Sequence, residues 1–277
     1  MNIQQALEQA NLDLSDASPS ATLDAQVLLT HVLHCNTAHL LAWPEKELDK
    51  EQSTSFLSLV KQRQSGKPVS HLTGVREFWS LDFFVDDSTL IPRPETETLV
   101  EFVLNKFTGN RSYKLIDMGT GTGAIAISIA KEKPDWIITA SDISTDALEL
   151  AKKNGKQHHT DNITFVQSSW FENIKTSDFD LIISNPPYIA ENDPHLKQGD
   201  VRFEPQRALT SGEAGMDDIN HLCQHAKDHL ASDGWLIVEH GYNQHQLVFD
   251  CFTNNGFTQI EQSRDLSGHT RMTAGKK

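Results

Sequence analysis

Apolar residues in the first part of the chain recur at the spacing of an α-helix. Ile3, Leu7 and Ala10 form one such set, and Phe56 and Val60 belong to another near residue 60. Because positions three and four apart lie on the same helix face, this pattern predicts amphipathic helices that pack on a common core. We therefore predict that the first 65 residues or so are helical.

The pattern changes after this helical region. Residues 78–85 are rich in Phe and Trp and predict a short two-stranded ribbon. The stretch Ile91–Glu97 contains two prolines and favours an extended path, with Pro94 suited to the first turn of a helix. We predict two domains, a helical one over residues 1–85 and a second one over residues 86–277.

Strand and helix patterns alternate through the rest of the chain. The predicted strands are Lys114–Asp117, Trp136–Ser141, Ile163–Gln167, Phe179–Ser184, Trp235–Glu239, Phe257–Gln262 and Thr270–Thr273. The predicted helices are Ala124–Lys131, Thr145–Lys153, Asp217–Leu230 and Asn243–Cys251. Such alternation is typical of βαβ units. The predicted fold class is α/β, a doubly wound and mostly parallel sheet with helices on both faces, preceded by a small helical domain.

Charge and composition narrow the possible functions. The chain has 24 Lys and Arg against 38 Asp and Glu, a net charge of −14 with His neutral. Because nucleic-acid affinity depends mainly on cations that neutralise phosphates, direct nucleic-acid binding is not expected. No apolar run approaches the ~20 residues of a membrane helix, so no membrane association is expected. We expect the protein to be cytoplasmic. Three scattered cysteines and no Cys-x-x-Cys motif give no reason to expect a metal.

A glycine-rich turn joins the first strand of the predicted sheet to the next helix. Residues Met118–Gly123 read Met-Gly-Thr-Gly-Thr-Gly, and glycine lets a chain turn sharply and lets a ligand lie against bare backbone. Asp142 ends the following strand, 21 positions after Gly121, where its carboxylate can accept hydrogen bonds from ribose hydroxyls. Together these features predict a nucleoside-binding site.

The spacing alone does not decide which nucleoside binds. Gly119, Gly121 and Ala124 also satisfy the G-x-G-x-x-G/A pattern of dinucleotide sites, which keeps an NAD-type ligand open at this point. S-adenosylmethionine carries a sulfonium and an amino acid group instead, and Asp117 beside the turn suits its ammonium. Asp142 would serve either ligand.

A proline-rich turn follows the predicted strand Phe179–Ser184 and reads Asn185, Pro186, Pro187 and Tyr188. In an open parallel sheet, ligands bind beyond the carboxyl ends of the strands, which would place this turn beside the glycine-rich turn. The prolines fix the backbone and lack N–H donors, so the turn offers two acceptors, the Asn185 side-chain oxygen and the Pro186 carbonyl. With the ring of Tyr188 as a flat wall, this set suits a planar NH₂ group that attacks a methyl group.

With these two turns, the chain resembles the class I S-adenosylmethionine-dependent methyltransferases, and most closely the HemK/PrmC family. The stretches that carry the resemblance are His71–Trp79, Leu90–Glu97, Asp117–Gly123, Asp142, Trp170–Phe171, Asn185–Tyr188, Gly199–Pro205 and Glu239–Gly241. Members of this family methylate the side-chain amide of the glutamine in the Gly-Gly-Gln loop of peptide chain release factors. The resemblance implies a Rossmann-like fold, S-adenosyl-L-methionine as cofactor with S-adenosyl-L-homocysteine as product, and release factors as partners of a monomer.

The resemblance also implies roles for individual residues. The cofactor would be held by Gly119, Thr120, Gly121, Thr122, Gly123, Asp142, Trp170 and Asn185. The glutamine amide would be held by Asn185, Pro186, Pro187 and Tyr188, with Asn185, Pro186 and Tyr188 as the catalytic set. The helical domain would help to dock the release factor. Ser169 stands where many class I enzymes have an acidic residue, which leaves the recognition of adenine open.

Three alternatives stay open on the residues alone. An N(6)-adenine-type nucleic-acid amino-methyltransferase fits the turn, since adenine presents a similar NH₂ group, but the net charge of −14 disfavours it. A non-catalytic nucleoside-binding adaptor and an NAD oxidoreductase are the others.

Arg93 and Arg202 suit either a substrate contact or a structural salt bridge, and Trp43, Trp79 and Trp136 are expected in the core.

Overall fold

The structure is a computed structural model, which describes residues 1–109 and 111–277 and divides into two compact units. The first unit contains Met1–Val75 and Lys197–Phe203, and the second contains Arg76–Leu196 and Glu204–Lys277. In this division the aromatic ribbon falls almost wholly in the second unit, whereas the predicted domain 1–85 includes it. The two predicted domains, 1–85 and 86–277, therefore stay a prediction. None of the helices in the described ranges has the length and apolar character needed to cross a lipid bilayer.

The first unit is helical, as its apolar spacing predicts. Its helices are α1 (Ile3–Leu14), α2 (Ala21–Leu33), α3 (Thr37–Ala42), α4 (Lys50–Gln64) and α5 (Val69–Thr73). Asn2 and Asp49 begin α1 and α4 with capping boxes, in which the side chain accepts from a backbone N–H three residues on. Buried residues such as Leu28 and Phe56 fill the space between α1, α2 and α4.

A buried ion-pair cluster ties the second segment of this unit to its helices. Arg63 is only 6% exposed, and its Nε lies 2.7 Å from Asp24 Oδ2. Its Nη1 lies 2.8 Å from Asp200 Oδ1, which belongs to the segment Lys197–Phe203. An unpaired buried charge strongly destabilises a fold, and here the buried Arg63 guanidinium is paired with two carboxylates. Asp24 and Asp200, which are distant in sequence, are thereby held together.

The second unit contains a ribbon and a seven-stranded sheet with flanking helices. Its elements are β1 (Val75–Phe78), β2 (Leu81–Phe84), α6 (Glu97–Lys106), β3 (Lys114–Met118), α7 (Ala124–Glu132), β4 (Ile137–Asp142), α8 (Thr145–Gln157), β5 (Ile163–Gln167), β6 (Phe179–Ser184), α9 (Asp217–His229), β7 (Leu230–Glu239), α10 (His245–Asn254), β8 (Thr258–Arg264) and β9 (Thr270–Lys276). The strand order is β5-β4-β3-β6-β7-β9-β8, parallel except for β9, which is antiparallel to both neighbours. This arrangement confirms the predicted α/β class.

The sheet is covered on both faces because consecutive residues of its inner strands are apolar and point to opposite sides. Leu115 and Ile183 face one way, into a cluster that includes residues of α6 and α7. Ile116 and Ile182 face the other way, into a cluster that includes residues of α9 and α10. Strands buried on both sides read as continuous apolar runs, as β6 does.

The strand order reverses between β3 and β6, which makes this the switch point of the sheet. The chain moves outward from β3 to β4 and β5, and then returns to pair β6 with the other side of β3. Met118 and Ser184 are partners in the β3–β6 register, and the Ser184 hydroxyl donates to the Met118 carbonyl at 2.6 Å. The next residue of each strand, Gly119 and Asn185, therefore leaves the sheet at the same edge.

The three tryptophans expected in the core differ in the structure. Trp136 is 3% exposed and Trp79 is half-buried, but Trp43 is 57% exposed, so its prediction was wrong. Trp43 ends α3, and its ring packs on that of His39, with ring centroids 4.8 Å apart, at the surface instead of reaching the core.

Candidate active site

A cavity of about 340 Å³ opens at the switch point, beyond the carboxyl ends of β3, β4 and β6. The predicted site residues in its wall are Gly119, Thr120, Gly121, Thr122, Asp142, Trp170, Asn185 and Pro187. The other three predicted residues, Gly123, Pro186 and Tyr188, do not line this cavity. Thr96, Arg93, Arg207 and Asp218 line it as well and were not predicted as site residues.

The glycine-rich turn brings bare backbone to the cavity and then starts α7. Gly121 has φ +54°, and a Cβ built on it would meet open space, its nearest neighbour being Thr89 Cβ at 4.0 Å. Gly123 has φ +83°, and a Cβ there would lie 2.8 Å from Ile127 Cδ1 and 3.3 Å from Ala151 Cβ. Gly121 thus leaves room for a ligand, whereas Gly123 lets α7 pack closely against α8.

Asp142 joins the glycine-rich turn to the end of β4. Its Oδ2 accepts from the Gly121 N–H at 2.9 Å, and its Oδ1 accepts from the Ser144 N–H at 2.9 Å. A carboxylate has about four lone-pair positions, so two of these bonds leave capacity for hydroxyl groups of a ligand in the cavity. This geometry fits the ribose of a nucleoside.

Asp117 is buried behind the same turn. It is 1% exposed, it does not line the cavity, and it accepts from the Thr120 hydroxyl at 2.6 Å. Burial raises the pKa of Asp117 to about 7, against the opposing effect of the Thr120 hydrogen bond. The carboxyl therefore braces the turn and has no surface on the cavity for an ammonium group.

Trp170 and Asp218 form the aromatic and acidic part of the wall. Trp170 has φ +46°, and its Nε1 donates to Asp218 Oδ1 at 3.0 Å. Asp218 lies in the first turn of α9, far from Trp170 in the sequence. Ser168 and Ser169 line the cavity on this side too. An acidic group is thus present beside Trp170, although Ser169 itself is not acidic.

The Asn-Pro-Pro-Tyr turn is held from behind by two hydrogen bonds. Asn185 Nδ2 donates to Thr96 Oγ1 at 3.0 Å, in the short helical turn Pro94–Thr96. Tyr188 donates its hydroxyl to Glu239 Oε1 at 3.1 Å, at the end of β7. Because the amide NH₂ of Asn185 is used by Thr96, its Oδ1 is the atom left to accept from a ligand.

Glu239 is a buried carboxyl behind the turn. It is 1% exposed, and burial raises its pKa to about 7 although the hydroxyls of Thr96 and Tyr188 and the charge of Arg271 act in the opposite direction. Neither Thr96 nor Glu239 was predicted as a site residue. Both lie in stretches that carry the family resemblance, Leu90–Glu97 and Glu239–Gly241, and that was the only signal for them in the sequence.

The two arginines of uncertain role are both paired in the structure. Arg93 lines the cavity, and its Nη2 lies 2.8 Å from Glu204 Oε1 on a fully buried side chain. Arg202 belongs to the first unit, and its Nη2 donates to the Ser65 carbonyl at 3.1 Å. Of the two, Arg93 is therefore the one placed at the cavity.

Solved structures share the fold at low sequence identity. The hMettl16 catalytic domain, solved in complex with MAT2A 3'UTR hairpin 1, aligns with a TM-score of 0.57 and 14% identity over 85% of this chain and 84% of that one. A methyltransferase from Pyrococcus furiosus aligns with a TM-score of 0.55 and 15% identity over 80% of this chain and 97% of that one. At such identities the similarity concerns the fold alone.

Sequence comparison gives the family. The family model for the methyltransferase small domain matches residues 95–203, and the one for the PrmC N-terminal domain matches residues 5–74. A release factor glutamine methyltransferase of Aliivibrio fischeri is 45% identical over all of this chain and 98% of its own length. Those of Shewanella oneidensis and Escherichia coli are 46% and 44% identical over 99% and 100% of this chain, and 96% and 99% of their own lengths. The chain belongs to the release factor glutamine methyltransferase family.

Proposed function

We propose that this protein transfers a methyl group from S-adenosylmethionine to the side-chain amide nitrogen of the glutamine in the Gly-Gly-Gln loop of peptide chain release factors. The observation that carries the proposal is the placement of Asn185 in the wall of the nucleoside-sized cavity, with its amide NH₂ already donated to Thr96. The nucleic-acid alternative is not favoured, because relatives that match over their full lengths are release factor glutamine methyltransferases.

The residues around the cavity fit the cofactor. The wall of Gly119–Thr122 would lie along it, Asp142 has unused acceptor capacity for the ribose, and Trp170 offers an aromatic surface for the adenine. Asp218, next to Trp170, would accept from the adenine amine. When bound, S-adenosylmethionine supplies a methyl group on a positively charged sulfur.

The chain's own contribution is to orient and polarise the glutamine amide. An amide nitrogen is a poor nucleophile because its lone pair is delocalised into the carbonyl. Asn185 Oδ1 and the Pro186 carbonyl would each accept one N–H of the substrate, which fixes the nitrogen in place and stabilises the positive charge that develops on it. After the nitrogen has gained the methyl group, its extra proton passes to solvent, so this role needs no strong base.

Mass spectrometry of a purified release factor tests the proposal. After incubation with the protein and S-adenosylmethionine, we expect one added methyl group on the glutamine of the Gly-Gly-Gln loop. DNA and RNA incubated in parallel should gain none. Methyl groups on nucleic acid with an unmodified release factor would contradict the proposal.

The proposal gives the helical domain, residues 1–85, the contact with the protein partner. Large apolar side chains are exposed there at Leu12, Leu23, Leu41, Trp43 and Leu57. Aromatic side chains such as Trp43 are enriched in protein–protein interfaces. The proposal therefore gives this domain the docking role, for a monomer that acts in the cytoplasm, where release factors work.

A further inference from the structure

Glu239 lies directly beside the Asn-Pro-Pro-Tyr turn. Ser184 and Val238 are partners in the parallel β6–β7 register, so the next residues, Asn185 and Glu239, leave neighbouring strands together. Glu239 is nevertheless 1% exposed and does not line the cavity. Its carboxyl therefore has no direct access to a substrate and can act only through neighbouring side chains.

Two hydroxyl groups lie near this carboxyl, those of Tyr188 and Thr96. Tyr188 donates to Glu239 Oε1 at 3.1 Å. The hydroxyl of Thr96 is close enough to the carboxyl to favour its charged form, although no hydrogen bond of normal geometry reaches Oε2. Thr96 also accepts from Asn185 Nδ2 at 3.0 Å. Thr96 therefore stands between the buried carboxyl and the amide that faces the cavity.

We propose that Glu239 is a positioning residue for amide methylation: as a carboxylate it draws the Thr96 hydroxyl proton toward itself, and Thr96 in turn holds the Asn185 carboxamide with its oxygen toward the substrate. This inference rests on the proposed function. A hydroxyl whose proton points to Glu239 presents only lone pairs to Asn185, and only the NH₂ side of the amide can satisfy them. Without that constraint, the hydroxyl can donate to Asn185 Oδ1, and the amide can turn its NH₂ toward the substrate.

The surroundings of Glu239 allow its charge to change near neutral pH. Burial disfavours the carboxylate and raises the pKa to about 7. The groups that face it are Arg271, which favours its negative charge, Glu95, which disfavours it, and the hydroxyls of Thr96 and Tyr188, which favour it. We therefore expect the correctly oriented amide to predominate above about pH 7 and to be lost below it.

The Glu239→Gln variant tests this directly, because it keeps the shape and removes the charge. We expect the methylation rate at saturating substrates to fall ~10- to 100-fold, the usual range for a residue that orients another one. This loss is smaller than the ~10²- to 10³-fold loss from removing a direct contact to the developing charge. The dissociation constant of S-adenosylhomocysteine should stay within about threefold of the wild-type value, as expected when only orientation is lost. The wild-type rate should fall as the pH is lowered through about 7, and the variant should lose this dependence.

Thr96 variants keep the test decisive if Glu239→Gln does not fold. Thr96→Ser keeps the hydroxyl and should retain the rate, whereas Thr96→Val should lose it to the same extent as Glu239→Gln. Combining Asn185→Ala with Glu239→Gln should add little to the loss from Asn185→Ala alone, since both act through one amide. Glu132→Gln at the far end of α7 and Thr253→Val on α10, both exposed, serve as controls.

Wild-type rates in Thr96→Val, or in a folded Glu239→Gln, would overturn the inference. Losses that add fully in the double variant would do so as well. A wild-type protein that leaves the release factor glutamine unmethylated would instead contradict the proposed function. The two failures are therefore distinguishable in one experiment.

Discussion

Asp142→Asn is the most informative change in the cofactor part of the site. The carboxylate accepts from two backbone N–H groups, those of Gly121 and Ser144, each at 2.9 Å. In the variant one oxygen becomes an NH₂ group, which cannot accept. Whichever side it takes, one backbone N–H loses its acceptor and faces another donor. Either the glycine-rich turn or the start of α8 loses a hydrogen bond to the end of β4, and in both cases the ribose loses a charged acceptor.

The size of the effect follows from these two bonds. A hydrogen bond to a charged group contributes about 1.5–3 kcal/mol, and we expect the free energy of unfolding to fall by about that amount. A similar loss in binding, at about 1.4 kcal/mol for each factor of ten, raises the dissociation constant of the cofactor ~10- to 100-fold. Gly121 and Ser144, one of which loses its bond, both line the cavity.

Calorimetric titration with S-adenosylhomocysteine measures this effect. Asp146→Asn is the matched control, because Asp146 is an exposed residue in the first turn of α8, four positions further on. We expect the control to bind as the wild type does. Unchanged affinity in a folded Asp142→Asn variant would refute the assignment of Asp142 to the ribose and the anchoring role of its carboxylate.

Three further predictions concern packing, pH and docking. Gly123→Ala should lower the free energy of unfolding, measured in urea, by about 1–3 kcal/mol more than Gly268→Ala. Both glycines have φ +83°, but only a Cβ at Gly123 would meet neighbouring atoms. Equal losses in the two variants would refute this packing argument. Burial raises the pKa of Asp117 to about 7, so the folded protein keeps a proton that the unfolded chain releases near pH 4. The free energy of unfolding should therefore fall as the pH rises from about 4 to 7, and it should fall less steeply in Asp117→Asn. Parallel pH profiles of the two proteins would contradict this. Trp43→Ser should raise KM for the intact release factor ~10-fold but leave KM for a short Gly-Gly-Gln peptide unchanged. Leu266→Ser, which changes a fully exposed residue of the second unit, is the control. An equal rise in KM for both substrates would argue against docking by the helical domain.

The sheet of the second unit is largely predictable because its signals are local. Continuous apolar runs such as Phe179–Ser184 become strands with the predicted bounds. The predicted start of β7 at Trp235 was too late, since the strand begins at Leu230. Asp233-Gly234 is a pattern typical of a turn, but here it lies within the strand, where the β6–β7 register shifts between Phe179 and Leu181.

The candidate site was only partly predictable, because several of its residues meet through packing. The Gly119–Gly123 turn and Asp142 follow strands directly, so their common edge could be inferred from the chain order. Asp218 and Glu239 come from elements distant in sequence, and their partners depend on how α9 and β7 pack and on their register. No spacing in the sequence encodes these contacts.

The central claim is that Asn185 presents an oxygen to the amide that is methylated, and a single-turnover comparison of wild type and Asn185→Ala tests it most directly. With saturating cofactor and release factor, the account predicts a rate ~10²- to 10³-fold lower in the variant, as when one preorganised contact to a developing charge is removed. Asn105→Ala, an exposed position on α6, should methylate at the wild-type rate. A wild-type rate of glutamine methylation in Asn185→Ala would contradict the account.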